Sequence, residues 1–335
     1  MSCIQYPVAG DNATPRRAEG GPRRPVHMGL DAPSVRADHR RRAGEGFGLA
    51  LQGAGRCRVK AVRFVSPDGE TRIGALRDGH VRDAGPAGRQ GFVPTPDAWR
   101  ALGEAAGTEY AVFDVKLLHP VVPDKILAIG VNYGSHADES ELDVPSVPVV
   151  FAKWPSSLIG PEDEIVVPVE EVRPDFEGEV AFVLGEMVYR ADEETARRAL
   201  GGVTAINDVS GRRAQLETPL RQFTLGKSFD TFSPLGPCIA SPDTVDVGDI
   251  HLTTTVSGEV MQDASTSDLV FGFVDLVVYL SKGLTLRAGD VIATGTPGGV
   301  GDSRMPPRYL REGDVVEISV EGVGTLRNPV RLERV

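Results

Sequence analysis

The sequence predicts a strand-rich α+β fold, and two observations carry that expectation. From Lys125 onward short β-type runs recur (KILAIGVNY, PVVFAKW, EIVVPV, GEVAFVLG, VTAINDV, VIATGT, VVEISVEG), each bounded by Gly, Pro or Asp. Only a few segments have helical spacing, and no internal repeat is present. Strands should therefore dominate, with helices between them.

The first 56 residues break from this pattern. Arg16-Arg17, Arg23-Arg24 and Arg40-Arg41-Arg42 sit among scattered Gly and Pro without a hydrophobic period, which predicts a disordered extension over 1–56. No apolar stretch followed by a small-residue cleavage site marks a secretory signal; an Arg-rich, acid-poor transit peptide and a misread start, with Val59 as the true first residue, are the other readings. From Val59, VKAVRFVSPDGETRIGALRDGHV alternates apolar and polar residues about Pro67-Asp68-Gly69 and predicts a hairpin. Thr95 to Ala106 reads as a helix, with Thr95 as cap, Pro96 at the first position and Trp99, Leu102 and Ala106 on one face. Pro120-Val121-Val122-Pro123 reads as a stiff connector. Residues 57–119 are thus expected to form a small N-terminal β-rich subdomain and 120–335 the main domain. Within the latter, Asp192 to Leu200 reads as a helix with acids first and arginines later. Asp268 to Lys282 reads as an apolar helix capped by Ser267 or Thr266.

Composition narrows the function. The 335 residues carry 36 Lys+Arg against 47 Asp+Glu, a net charge of −11, which disfavours a nucleic-acid binder because phosphate backbones are held by clustered cations. A small-molecule partner is expected instead. Cys3, Cys57 and Cys238 are odd in number and form no CxxC, so neither a disulfide framework nor a zinc ribbon is indicated, and a cytoplasmic setting fits. The apolar tract Phe271 to Leu280 is broken by Asp275 and falls short of the roughly 20 residues that cross a bilayer, so no membrane span is expected.

Four motifs carry chemistry. In Asp175-Phe176-Glu177-Gly178-Glu179 the acids occupy every second position, and a strand's period of two points all three to one face. Their mutual repulsion invites a hard cation, Mg²⁺, Mn²⁺ or Ca²⁺, since no Cys or His lies near to favour zinc. Asn207-Asp208, in the apolar stretch Val203 to Val209, is the best source of a further ligand. A solvated strand face is the plain alternative. His136 and Glu139 stand three apart and would stack as an acid/base pair if Ser135 opens a short helix; a surface pair is the alternative. Lys227 in Leu225-Gly226-Lys227-Ser228 lacks the glycine of a phosphate loop, because position 221 is Arg, and either snorkels or supports a developing oxyanion. Gly289 to Gly301 reads as a strand entering a glycine-rich turn whose amides and Thr hydroxyls suit an anion, or as a purely structural turn.

Taken in order, KILAIGVNYGSHADE, PVVFAKWPSSLIGP, DFEGEVAFVLG, GVTAINDVSGRRAQ, GKSFDTFSPLGP, GDVIATGTPGGVG and EGVGTLRNPV resemble the fumarylacetoacetate hydrolase family from about Lys125 to the C-terminus. That resemblance implies a rolled mixed β-sandwich, usually a homodimer. It implies Glu177, Glu179 and Asp208 as ligands of Mg²⁺ or Mn²⁺, and His136 with Glu139 as the water-activating pair. It also implies Lys227 as a catalytic cation and Gln215, Thr296 and Lys153 as substrate-binding residues. One departure stands out: Ser210-Gly211-Arg212-Arg213 replaces the family's common Ser-Ala-Arg-Asp, removing an acid near Asp208 and adding a cation.

The expected function is a metal-dependent hydrolase that cleaves a C–C bond of a 2,4-dioxo, acylpyruvate-like acid through a pyruvate enolate. Decarboxylation of oxaloacetate-like acids or isomerisation of 2-hydroxy-dienoates is the alternative, since both use the same enolate. A non-catalytic binder docking through its Arg-rich tail is the reading from another class. Trp154, Ser156 and Ser157 are candidates for setting the acyl specificity.

Overall fold

The structure is a computed structural model that describes residues 59–135, 145–217 and 219–334. The Arg-rich extension and the His136–Glu139 pair lie outside the described residues.

An N-terminal meander comprises β1 (Lys60–Val65), β2 (Thr71–Arg77), β3 (His80–Pro86), α1 (Pro96–Gly103), β4 (Glu109–Ala111) and β5 (Lys116–Leu118). The expected Pro67-Asp68-Gly69 turn joins β1 to β2, closed by the Gly69 N–H on the Ser66 carbonyl at 2.8 Å. Helix α1 starts where its cap predicts, with Thr95 Oγ1 accepting from the Ala98 N–H at 3.1 Å. It ends sooner than expected, at Gly103, so Ala106 is exposed while Trp99 and Leu102 are buried.

The main body then runs through β6 (Ile126–Gly130), β7 (Val149–Lys153), β8 (Leu158–Ile159), β9 (Ile165–Val167), β10 (Pro174–Asp175) and β11 (Gly178–Leu184). Next come α2 (Glu193–Ala199), β12 (Leu200–Asn207), β13 (Ser210–Gly211), α3 (Arg212–Leu216), α4 (Phe223–Gly226) and β14 (Ser233–Ala240). The chain closes with β15 (His251–Val256), β16 (Glu259–Ser265), α5 (Phe273–Ser281), β17 (Val291–Ala293), β18 (Val315–Val320) and β19 (Gly324–Leu332). Every strand-like run named from Lys125 onward contributes a strand. The sequence reading passed over β14, whose SPLGPCIA carries two prolines and a glycine; it is accommodated because its pairing with β12 shifts register there.

One large mixed sheet has the order β4-β3-β2-β1-β14-β12-β11-β17-β6-β7, so β1 joins the meander directly to β14. A second sheet, β16-β15-β18-β19-β9, packs across it, with β15 and β18 over β11 and β18 and β19 over β12. The large sheet is rolled. β7 lies four strand positions from β12, about 19 Å across a flat sheet, yet Lys153 of β7 reaches Asp208 just beyond β12 at 2.7 Å. Only curvature brings them together.

Alternation along the strands sorts the core into two layers. Val180, Phe182 and Leu184 of β11 face the second sheet, whereas Ala181 and Val183 face the inside of the roll with Ile206, Leu235 and Ala128. This explains why β11 reads as a continuous apolar run: both faces are covered. Glu179 shares parity with Ala181, and Asp208 with Ile206, so the carboxylates project into the roll.

Two expectations are corrected. DFEGEVAFVLG is not one strand: β10 ends at Asp175 and β11 begins at Gly178, so Asp175 does not share a face with Glu177 and Glu179. The apolar helix α5 begins at Phe273 rather than Asp268, and Thr266–Asp268 is a separate 3-10 turn. Asn132 diverts the segment between them, accepting from the Phe271 N–H at 2.9 Å through Oδ1 and from the Val270 N–H at 2.8 Å through its carbonyl. Gly272 then caps the helix, its N–H held by Asp275 Oδ2 at 3.0 Å. Among the described residues no helix is long and apolar enough to cross a membrane.

Candidate active site

Three carboxylates meet where β11 begins and β12 ends. Glu177, Glu179 and Asp208 are buried, and each offers an oxygen within 4.8 Å of the others. Backbone pairing sets this up: the Asp208 N–H donates to the Glu177 carbonyl at 2.8 Å, and Asn207 Oδ1 accepts from the Glu177 N–H at 3.1 Å. The two chain segments are thus locked side by side by one backbone bond and the Asn207 side chain.

Cations surround the carboxylates unevenly. Lys227 Nζ donates to Glu177 Oε2 and Asp208 Oδ2, each at 2.7 Å, and to Ser210 Oγ at 2.9 Å. Burial opposes its charge, but Asp208 and Glu177 more than offset that, so the ammonium is held above its ordinary range. Lys153 Nζ lies 2.7 Å from Asp208 Oδ1 and also donates to the carbonyls of Val209 and Lys227. Burial dominates there and lowers it. An ammonium has three donors, so both lysines spend theirs on the protein. Among the described residues Glu179 accepts only the Gly295 N–H, at 2.8 Å. Burial, followed by the charges of Asp208 and Glu177, pushes its carboxyl well above the ordinary range.

Asp175 serves a different neighbour. It accepts from the amides of Phe176, Gly301 and Asp302 and pairs with Arg212, whose Nε and Nη2 lie 2.9 and 2.7 Å from Oδ2. Arg212 Nη2 also reaches Glu177 Oε1 at 2.6 Å, and Nη1 donates to Gln215 Oε1 at 3.1 Å. One guanidinium therefore supports a carboxylate of the triad and a predicted pocket residue together. The neighbouring Arg213, the added cation in the unusual SGRR run, points away: its side chain is half exposed, lies 3.4 Å from Glu217 and donates to the Glu170 carbonyl. The added cation therefore makes no ion pair with the triad. Gly211 fits the same design, because a Cβ there would fall 2.6 Å from Glu171 Oε2, the carboxylate that accepts the Arg213 and Ala214 amides at the start of α3.

The donor set suits a hard divalent ion. Four buried acids, Asp175, Glu177, Glu179 and Asp208, face three cations, Lys153, Lys227 and Arg212. The formal count leaves one acid in excess, and Glu179 is the one with no ion pair among the described residues. An all-oxygen triad with this deficit can hold Mg²⁺, Mn²⁺ or Ca²⁺.

The remaining expected residues divide. Thr296 comes in behind Glu177 and Glu179, its hydroxyl donating to the Gly178 carbonyl at 3.0 Å, while its own N–H takes no partner among the described residues. Ser135, the last described residue before His136, accepts from the Gly298 N–H of the glycine-rich turn at 3.4 Å. Ser157 is buried, with its hydroxyl held to the Trp154 carbonyl and Ser233; Trp154 is 48% exposed, and Ser156 is also exposed. Sequence reasoning missed Arg212 as a partner of Glu177. It also missed Tyr133, whose buried hydroxyl has no partner among the described residues and whose ionisation burial and then Glu179 oppose, and Gln262. The NY pair before His136 was the available signal for Tyr133.

The turn after β17 is pinned to the surface through Asp302. Burial raises its carboxyl, but hydrogen bonds from Tyr309 at 2.6 Å and Arg173 at 2.6 Å outweigh that and hold it below the ordinary range. A depressed acid stabilises the fold above its unfolded value and loses that contribution as pH falls through its folded value. The stability gap between wild type and Asp302→Asn should be full at neutral pH and shrink below about pH 4. Urea midpoints measured across that range check it; a gap independent of pH refutes it.

Known proteins place this arrangement. Residues 125–331 match the family model described as fumarylacetoacetate (FAA) hydrolase C-terminal. Over 297 residues the chain is 35% identical to the fumarylacetoacetate hydrolase domain-containing protein 2 homolog of Dictyostelium discoideum, covering 82% of this chain and 97% of that protein. It is 40% identical over 219 residues to the human oxaloacetate tautomerase FAHD2A, mitochondrial, covering 65% of this chain and 70% of that one. The crystal structure of 5-carboxymethyl-2-hydroxymuconate delta-isomerase from Mycobacterium smegmatis superposes with a TM-score of 0.69 at 34% identity, covering 82% of this chain and all of that one. Because the match runs from β6, inside the roll, to β19 of the covering sheet and spans every carboxylate of the site, the chain belongs to the fumarylacetoacetate hydrolase family.

Proposed function

We propose that this protein is a divalent-metal-dependent enzyme that interconverts keto and enol forms of a small 2-oxo acid, or isomerises a related 2-hydroxy-dienoate. The carrying observation is the buried triad Glu177, Glu179 and Asp208, in which Glu179 has no ion pair among the described residues. The tautomerase and isomerase names of relatives at 34–40% identity support the same chemistry.

A divalent ion held by Glu177, Glu179 and Asp208 would supply Lewis-acid stabilisation of the charge that develops on the C2 oxygen when C3 loses a proton. The protein supplies the rest. Lys227 and Lys153 hold Glu177 and Asp208 in place, and act through position because their donors are already committed. Gln215, held by its carbonyl on Arg212, keeps its NH₂ for an incoming oxygen. The Thr296 amide, which takes no partner among the described residues, offers a second donor suited to the substrate carboxylate. His136, with Glu139 as the partner its sequence spacing offers, takes the proton from C3, and return of that proton to the C2 oxygen completes the enol with atoms and charge balanced.

C–C hydrolysis is the second reading, favoured by that same His136–Glu139 pair, which suits activation of water. Incubating purified enzyme and Mg²⁺ with oxaloacetate, acetylpyruvate and 2-hydroxyhepta-2,4-dienedioate separates the outcomes. Faster decay of the oxaloacetate enol absorbance, or appearance of a dienoate isomer, supports the first reading; acetate plus pyruvate supports the second. No acceleration of any of the three by Mg²⁺ or Mn²⁺ would refute both. Glu177→Ala should abolish turnover in each assay.

A further inference from the structure

Glu177 and Glu179 are separated by a single glycine, and the peptide of that glycine is gripped from behind. Gln262, on β16 of the covering sheet, is buried, and its Oε1 accepts from the Gly178 N–H at 2.9 Å. Its Nε2 donates to Thr296 Oγ1 at 2.7 Å and to the Pro297 carbonyl at 2.9 Å. Thr296 Oγ1 in turn donates to the Gly178 carbonyl at 3.0 Å. The three groups close a ring in which both polar atoms of Gly178 are held by side chains from other elements. Only a carboxamide can accept from one group and donate to two others at this position.

Gly178 must lack a side chain for the ring to form. A Cβ there would press on Thr254 Oγ1 and lie 3.3 Å from Gln262 Oε1 and from Ile318 Cγ1. The Glu-Gly-Glu spacing therefore serves two purposes: it turns both acids into the roll, and it leaves the reverse side open to the covering sheet. The ring also ties that sheet to the glycine-rich turn, whose Gly295 N–H is the hydrogen-bond donor to Glu179.

We infer that Gln262 is a positioning residue which, through a closed hydrogen-bonded ring with Thr296 and Gly178, sets Glu177 and Glu179 for metal binding. The inference rests on the metal-site reading above. It acts at a distance from the ion: Gln262 fixes the backbone from which both ligands spring, and the loss expected on removing such support is about tenfold to a hundredfold in metal affinity.

The test titrates the full-length protein with Mn²⁺ alone, following the free ion by its electron paramagnetic resonance signal, with circular dichroism to show that each variant is folded. Gln262→Leu and Thr296→Val should each weaken Mn²⁺ binding by about tenfold to a hundredfold. Thr296→Ser, which restores the hydroxyl, should bind close to wild type. The double variant should lose less than the product of the two single losses, because one ring is broken only once. Wild-type affinity in folded Gln262→Leu and Thr296→Val, or losses that multiply, would overturn the ring. If Gln262→Leu does not fold, the contrast between Thr296→Val and Thr296→Ser decides alone, and equal affinities there overturn it. Glu177→Ala is the control: if wild type fails to bind Mn²⁺, or Glu177→Ala binds equally, the metal reading falls and the ring's role with it.

Discussion

Glu179→Gln is expected to lose metal binding and turnover while making the metal-free protein more stable. Among the described residues Glu179 is the acid of the triad without an ion pair, held by one amide and crowded by Asp208 and Glu177. Glutamine keeps the shape and can still accept the Gly295 N–H, but it removes a buried charge that burial and two like charges oppose. Mn²⁺ affinity should fall by more than about a hundredfold, beyond the usual loss from an outer-shell partner. Unfolding in chelator should become harder by about 1–3 kcal/mol, the order of an unsatisfied buried group. Opposite movement of the two quantities is the diagnostic result. A variant that loses both stability and metal would mean that Glu179 serves the fold instead.

Lys227→Met should move stability the other way. Its ammonium holds Glu177, Asp208 and Ser210 at 2.7–2.9 Å, and it is buried with them. Removing one partner of a buried ion pair leaves the other charges uncompensated, at a cost of about 3–5 kcal/mol. A divalent ion restores positive charge between the same carboxylates, so Mn²⁺ should raise the melting temperature of Lys227→Met by more than it raises that of wild type. Thermal melts with and without Mn²⁺ measure this. Equal shifts in the two proteins would show that lysine and ion do not share those oxygens.

Both results turn on residues whose meaning differed between chain and fold. The period-two spacing of Asp175, Glu177 and Glu179 made three equivalent acids, yet the break between β10 and β11 turns Asp175 toward Arg212 and leaves the other two beside Asp208. Parity holds only where the chain stays extended. Helix α5 shows the same limit from another direction: Ser267 and Thr266 are competent caps, but tertiary hydrogen bonds from Asn132 delay the helix to Phe273. β14 was missed because its prolines mimic a loop, and its register shift could be seen only with β12 in place.

Local chemistry within the chain determined the strand-rich class, the Thr95 cap of the first helix, the hairpin at Pro67-Asp68-Gly69 and the identity of the acids able to hold a hard cation, because each depends on neighbours a few residues away. Tertiary structure alone decided which cation faces which acid, that Lys153 crosses the roll to Asp208, that Arg213 turns outward, and that Gln262 grips the peptide between two ligands. The pairs Arg212–Asp175, Lys153–Asp208, Gln262–Gly178 and Thr296–Gly178 join residues 37 to 118 positions apart, and no spacing rule reaches that far: they exist only once the sheet has rolled and the second sheet has covered its back.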